Sequence, residues 1–436
     1  MTVDELLHAG AVQQARAVAA GSPSAGGLLQ AQRAAITRVN PAINAYVEVF
    51  EPSHAGALQG GGASPLAGST FAVKDNIDVA GSPTRSGLAA LDAAPATRDA
   101  GAVARLRAAG LVCLGKLNMH PVALGATNHN PDFGDCYNPL RAGYTPGGSS
   151  GGSGAAVAAG LCGIALGTDT MGSVRIPAAY CGVAGFKPSF GAVPSDGLVA
   201  LAPMLDHIGI LARRVEDLVQ AFRIVGEPRY TQPAPPRDVR GLRLAVPAEP
   251  AALQAAPEVM QAFTAGLDRL RATGFTLVPV DLSGGTGFTA VRRAGLLLSE
   301  AELRNTLDAI VRERPRALPD DLRGMMEFIG KKSAADLARA VGVTVAAGQW
   351  LERTVAPFDA LLLPTAPQTA FPMDAPVPAN QADYTAPANM AGAPALSLPL
   401  PVPAGELPVG LQLVGHRGAD MALLGIALAV EEALAR

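Results

Sequence analysis

Between residues 70 and 187 short apolar runs alternate with stretches of helical spacing, and this alternation limits the possible folds more than any other feature of the chain. The runs TFAV, LVCLG, GIALGT and VAGF read as buried strands, because each is short, aliphatic and bounded by glycine or polar residues. Between them fall a helix near 99–109, a helical MHPVALG near 119–125, a small-residue helix opened by the glycine-dense segment 147–154, and a helix over VRIPAAYCG. Strands alternating with helices predict an α/β fold around a parallel or mixed sheet. Upstream, residues 2–20 and 26–39 read as two amphipathic helices before a strand AYVEVF and the Gly/Ala/Ser-rich stretch GALQGGGASPLAGS. Downstream come helix VEDLVQAFRIV, strand LRLAVP, a helix over 256–272, strand FTLVPVD and a longer helical stretch over 287–350. Strand DALLLPTAP, a Pro-rich loop at 371–387, strands ALSLPL and VGLQLVG and a helix over 419–435 complete the pattern. With no internal repeat and no linker of disordered composition, the expectation is one domain over 1–436, with 283–350 as peripheral helical elaboration.

The composition excludes several classes. A chain that is 49% hydrophobic and 16% charged is not disordered. A formal charge of −3 speaks against a polyanion binder, so no nucleic-acid partner is expected. No uncharged apolar run approaches the roughly 18 residues of a membrane span, and MTVDELLHAG lacks a signal-peptide pattern. A cytoplasmic protein without membrane attachment is the expectation. Cys113, Cys136, Cys162 and Cys181 show no CxxC spacing and read as small buried hydrophobes. The six histidines form no close ligand pair, so no metal site is expected.

Three segments carry chemistry. FAVKDN places Lys74 at the end of an apolar strand, in a chain where only five of 34 basic residues are lysine. A lysine kept where arginine is the habit suggests a need for an amine that can become neutral. TPGGSSGGSGAAVAAG sets Ser149 and Ser150 at a turn before a helix, and GTDTMGSVRIPAAYCG sets Ser173 at another strand-to-helix turn. Glycines there permit close backbone approach, and helix N-terminal N–H groups point outward. Acyl transfer from an amide needs a nucleophile, a group that takes its proton, and N–H donors for the oxyanion. A buried, neutral lysine can replace histidine as base, and a second serine can relay the proton. Taken singly, each segment has a plainer reading. Lys74 could be a solvated strand-end lysine, and GGSSGG a flexible loop, a phosphate cradle or a GxSxG elbow. GLVCLGKL misses a phosphate-binding loop at Leu117.

In combination the segments closely resemble the amidase signature family of serine hydrolases. GGSSGGSGAAVAAG followed by GIALGTDTMGSVRIPAAYCGVAGFKPS matches its Gly/Ser-rich signature, and FAVKDN its lysine motif. GLVALAPMLDHIGILARRVEDL, FDALLLPTAP, YTAPANMAGAPALSLPLP and PVGLQLVGHRG resemble its later segments. The resemblance implies a single α/β/α domain around a twisted mixed sheet of about eleven strands. It implies Ser173 as nucleophile, Ser149 on a cis peptide as proton relay, and Lys74 as base. It puts the oxyanion hole on the backbone N–H groups of Thr170, Met171, Gly172 and Ser173, with Ser150, Asp169 and Arg175 in support. It implies no cofactor, a small-molecule amide substrate and a homodimer. The related alternatives are the glutaminase subunit of a tRNA-dependent amidotransferase and an allophanate- or carbamate-type hydrolase. Against the glutaminase, Ile176 stands where those subunits usually carry Gln. A non-catalytic binding protein is the remote alternative. One departure is Met171, where most members carry Gly. A Cβ restricts any positive-φ backbone there, and the thioether would project near the acyl site.

Overall fold

Eleven strands hydrogen-bond into one mixed sheet in the order β1-β3-β2-β4-β6-β5-β10-β11-β9-β7-β8. They are β1 Tyr46–Val49, β2 Thr70–Lys74, β3 Val112–Leu117, β4 Ile164–Asp169, β5 Ala184–Lys187, β6 His207–Ala212, β7 Arg243–Pro247, β8 Thr276–Val280, β9 Ala360–Pro364, β10 Ala395–Pro399 and β11 Gly410–Val414. The computed structural model describes residues 2–51, 64–91, 93–232 and 241–435. Residues 56–63 of the expected Gly/Ala/Ser-rich stretch lie outside the described residues.

Both faces of the sheet are covered, which is why its central strands read as unbroken apolar runs. Along β2, Phe71 and Val73 join one apolar cluster while Ala72 joins the opposite one. On β4, Ile164 and Leu166 face the first cluster and Ala165 the second. The first cluster is closed by helices α4 Gly101–Ala108, α7 Val215–Val225, α8 Pro257–Ala272 and α14 Asp420–Ala435. The second is closed by α1 Val3–Leu7, α3 Ala25–Ile43, α5 Gly151–Ala158 and α6 Arg175–Cys181. The layers are therefore α/β/α, as the resemblance implies.

Several elements differ from the sequence reading. Residues 2–20 form two helices, α1 and α2 Ala11–Ala19, because Gly10 turns the chain with φ 96°. A Cβ on Gly10 would lie 2.4 Å from Asp217 Oδ2, and Asp217 Oδ1 accepts the Val12 N–H at 2.8 Å. The second helix runs on to Ile43, past Pro41. MHPVALG is no helix beyond the short 3-10 turn Pro121–Ala123, since Val122 and Ala123 both take left-handed φ (47° and 62°). The stretch 287–350 divides into α9 Phe288–Thr306, α10 Asp308–Glu313, a 3-10 turn, α11 Asp320–Ile329 and α12 Ala334–Val355. The Pro-rich loop gives way to α13 Ala386–Met390, and β6, unassigned from sequence, lies antiparallel between β4 and β5.

Candidate active site

β2 and β4 are parallel neighbours with Val73 opposite Leu166, so Lys74 leaves its strand beside Gly167 and Thr168. The turns that follow in sequence converge on this carboxyl edge, where ligands of α/β sheets gather. Lys74 is fully buried. Its Nζ lies 2.7 Å from Ser149 Oγ and 2.7 Å from Thr168 Oγ1. Asn76 Nδ2 donates to the same threonine oxygen at 3.2 Å. Burial pulls the Lys74 ammonium down from 10.5 to about 7, against the pull of the Asp206 and Asp169 carboxylates. Burial thus brings loss of this proton within reach of neutral pH.

The Gly148–Ser149 peptide is cis. The Ser149 carbonyl accepts the His120 N–H at 3.1 Å. Ser150 ties the serine turn to the strand and to the next turn. Its Oγ donates to the Thr168 carbonyl (3.1 Å) and accepts the Thr168 N–H (3.2 Å), and its N–H donates to the Ser173 carbonyl at 3.2 Å. The backbone after Ser149 is thus bonded directly to Ser173. From Leu161 to Cys181 every residue is buried except Met171 and Ser173.

The expected donor turn is engaged unequally. The Gly172 N–H donates to Asp169 Oδ1 at 2.7 Å, so it serves the turn itself. Among the described residues no protein acceptor meets the N–H groups of Thr170, Met171 and Ser173. The left-handed backbone falls on Gly172 (φ 136°), where a Cβ would lie 2.2 Å from Thr385 Oγ1. Met171 itself has no positive φ, so its Cβ meets no left-handed backbone restriction.

Beneath the turn, Arg175 and Asp169 form a fully buried pair. Arg175 Nε and Nη2 reach the two Asp169 oxygens at 3.0 and 2.8 Å, a fork-to-carboxylate match. Its remaining donors go to the Thr385 carbonyl, Gln412 Oε1 and Asn389 Oδ1. Burial alone would raise the Asp169 carboxyl, but the Arg175 guanidinium overrides it and holds the group well below the usual range. Thr385 Oγ1 in turn donates to the Met171 carbonyl at 2.5 Å. With every guanidinium arm engaged inside the protein, Arg175 braces the turn.

Sequence reasoning did not single out Thr168, Asn76, Asp206, Thr385, Asn389 or Gln412. All six lay inside quoted segments but had no separate signal, since their roles come from how those segments meet in space. Asp206 accepts the Thr170 hydroxyl at 2.6 Å, and burial lifts its carboxyl to about 6. His120 and His207 flank the site, and burial lowers both, His120 to about 4. His207 Nδ1 meets the carbonyls of Leu205 and Asp169. The four cysteines are free and buried, and burial raises each thiol. Ile176 packs with Ala179, Tyr180, Ala366 and Ala370. Among the described residues no group of His, Cys, Asp and Glu is arranged to hold a metal ion, and no helix is long and apolar enough to cross a membrane.

Comparison with known proteins agrees with this architecture. The amidase family model matches residues 28–424. The chain is 37% identical to a glutamyl-tRNA(Gln) amidotransferase subunit of Thermus thermophilus, over 96% of each chain. A crystal structure of an amidase superposes with a TM-score of 0.87 at 32% identity, covering 98% of this chain and 100% of the other. A structure from a vestigial protein complex, tied to the origins of an s-triazine catabolic enzyme, superposes with a TM-score of 0.88 at 27% identity, over 97% and 98% of the two chains.

Proposed function

We propose that this chain, which belongs to the amidase family, hydrolyses the C–N bond of a small carboxylic amide through an acyl-enzyme on Ser173. The observation that carries the proposal is the fully buried Lys74 amine, 2.7 Å from Ser149 Oγ. In this reading neutral Lys74 takes the Ser149 proton while Ser149 takes the proton of Ser173. The Ser173 oxygen attacks the amide carbonyl carbon, and the C=O electron pair moves onto the oxygen. The N–H groups of Met171, Ser173 and Thr170 meet that oxyanion, in a site where fixed dipoles act with little reorganisation. The tetrahedral intermediate collapses as the relay runs backward. Lys74 returns its proton to Ser149, and Ser149 passes one to the leaving nitrogen. Water then attacks the ester by the same relay, releasing the acid and restoring Ser173. Asp169, Arg175 and Ser150 keep the two serine turns in register. The family resemblance further supports one domain over 1–436, with 283–350 as its helical elaboration, acting as a cytoplasmic homodimer without a cofactor.

Ser173→Ala should abolish amide turnover and labelling by a fluorophosphonate probe. Activity near that of the parent chain would contradict the assignment. A second reading is favoured by the 37% identity to the Thermus amidotransferase protein. Here the same triad would release ammonia from glutamine for a partner subunit. Glutaminase activity that appears only when the other amidotransferase subunits are added would select it.

A further inference from the structure

Two partly exposed thioethers stand at the turn that leads to Ser173. Met171 precedes it by two residues, and Met390 is the one partly exposed residue between Asp383 and Met390. The two side chains pack with Val291, Ala347 and Ala386, so α9, α12 and α13 close over the serine turn. A Cβ placed on Gly295 would lie 2.7 Å from Met171 Sδ and 2.5 Å from Met390 Cε. Gly295 thus leaves the space that both methionine tips occupy, one helical turn beyond Val291 on α9. The Met171 backbone is pinned through its carbonyl by Thr385, which leaves the thioether as the adjustable part. The neighbouring charges Arg292 and Asp383 pair with each other at 2.6 Å.

We infer that Met171 and Met390 form a movable thioether wall beside Ser173, given room by Gly295, which selects amides with an uncharged, apolar acyl group. The inference rests on Ser173 being the nucleophile. A thioether adapts to apolar shapes through flexible torsions and polarisability, and it offers little to an ammonium or carboxylate. Methylene-scale differences in such a pocket change kcat/KM by about 10- to 200-fold. A methionine tip pushed off Gly295 moves back toward the serine turn and takes room from the acyl group.

The test compares kcat/KM for acetamide, hexanamide, 2-ethylbutanamide and L-glutamine in the full chain, with fluorophosphonate labelling of the parent as control. The parent should turn over hexanamide at least about tenfold better than glutamine. Met171→Gly should raise the ratio of 2-ethylbutanamide to acetamide by about tenfold or more, because it vacates space beside Ser173. Gly295→Ala should lower that ratio, and should lower it much less in the Met171→Gly background, since one of the two displaced tips is then gone. If Gly295→Ala does not fold, the Met171→Gly ratio decides alone. A parent that is labelled but prefers glutamine, or a Met171→Gly ratio equal to the parent's, overturns the wall and leaves the triad standing. A parent that is neither labelled nor active on any amide overturns both.

Discussion

Lys74, Lys116 and Lys187 are all buried in a chain that otherwise favours arginine, and the reason differs among them. Lys187 Nζ donates to the carbonyls of Pro188 and Ala393, and Lys116 Nζ to the Ile77 carbonyl beside the Asp75 carboxylate. Those two close gaps in the backbone's hydrogen bonding. Lys74 ends on two hydroxyls, the arrangement a proton relay needs. Sparing use of lysine applies as much to Lys116 and Lys187, so by itself it does not single out Lys74. The partner atoms do, and they come from strand register. Lys74→Arg should reduce kcat/KM by about 100- to 10,000-fold, because a guanidinium does not deprotonate near neutral pH. A variant within a few-fold of the parent would show that the base lies elsewhere.

The elements that were legible in sequence are those whose periodicity reports burial directly. β2 and β4 read as apolar runs because helices cover both their faces, and α7 shows its buried stripe over the length predicted. Elements fixed by distant partners were not legible. Gly10 breaks a helical pattern because Asp217, some two hundred residues away, occupies the space under it. MHPVALG has helical spacing, yet Val122 and Ala123 take left-handed backbone where the Val122 N–H meets the Ser86 carbonyl. The brace under α6 was half legible. Asp169 and Arg175 stand in one motif, whereas Thr385 and Asn389 arrive from the start and body of α13 and Gln412 from β11, far along the chain. Removing one partner of such a buried pair leaves an uncompensated charge, so Arg175→Met should destabilise the fold by about 3–5 kcal/mol. Urea unfolding measures this. A loss below about 1 kcal/mol, the range of ordinary surface changes, would show that the brace is dispensable.

At the scale of the whole molecule, the sheet gathers Lys74, the Ser149 turn and the Ser173 turn at one edge, and the helices of 283–350 roof that edge through Met171. In the proposed reading Lys74, Ser149 and Ser173 all belong to one chain. The purified chain should hydrolyse simple amides alone, with no gain from added amidotransferase subunits. A strict requirement for those subunits would move it to the second reading. Sedimentation should find a homodimer, and a monomer at working concentration would remove that proposal. The central claim is that burial keeps one amine neutral enough to take a proton from the serine pair. With the folded Lys74 value near 7, the neutral form grows as pH rises, so log kcat/KM for an amide should climb with unit slope below pH 7 and level off above it. The pH–rate profile of the parent chain from about pH 5 to 9 is the direct measurement. A limb rising to a plateau near neutrality is the predicted result, and a profile flat across that range would contradict the account.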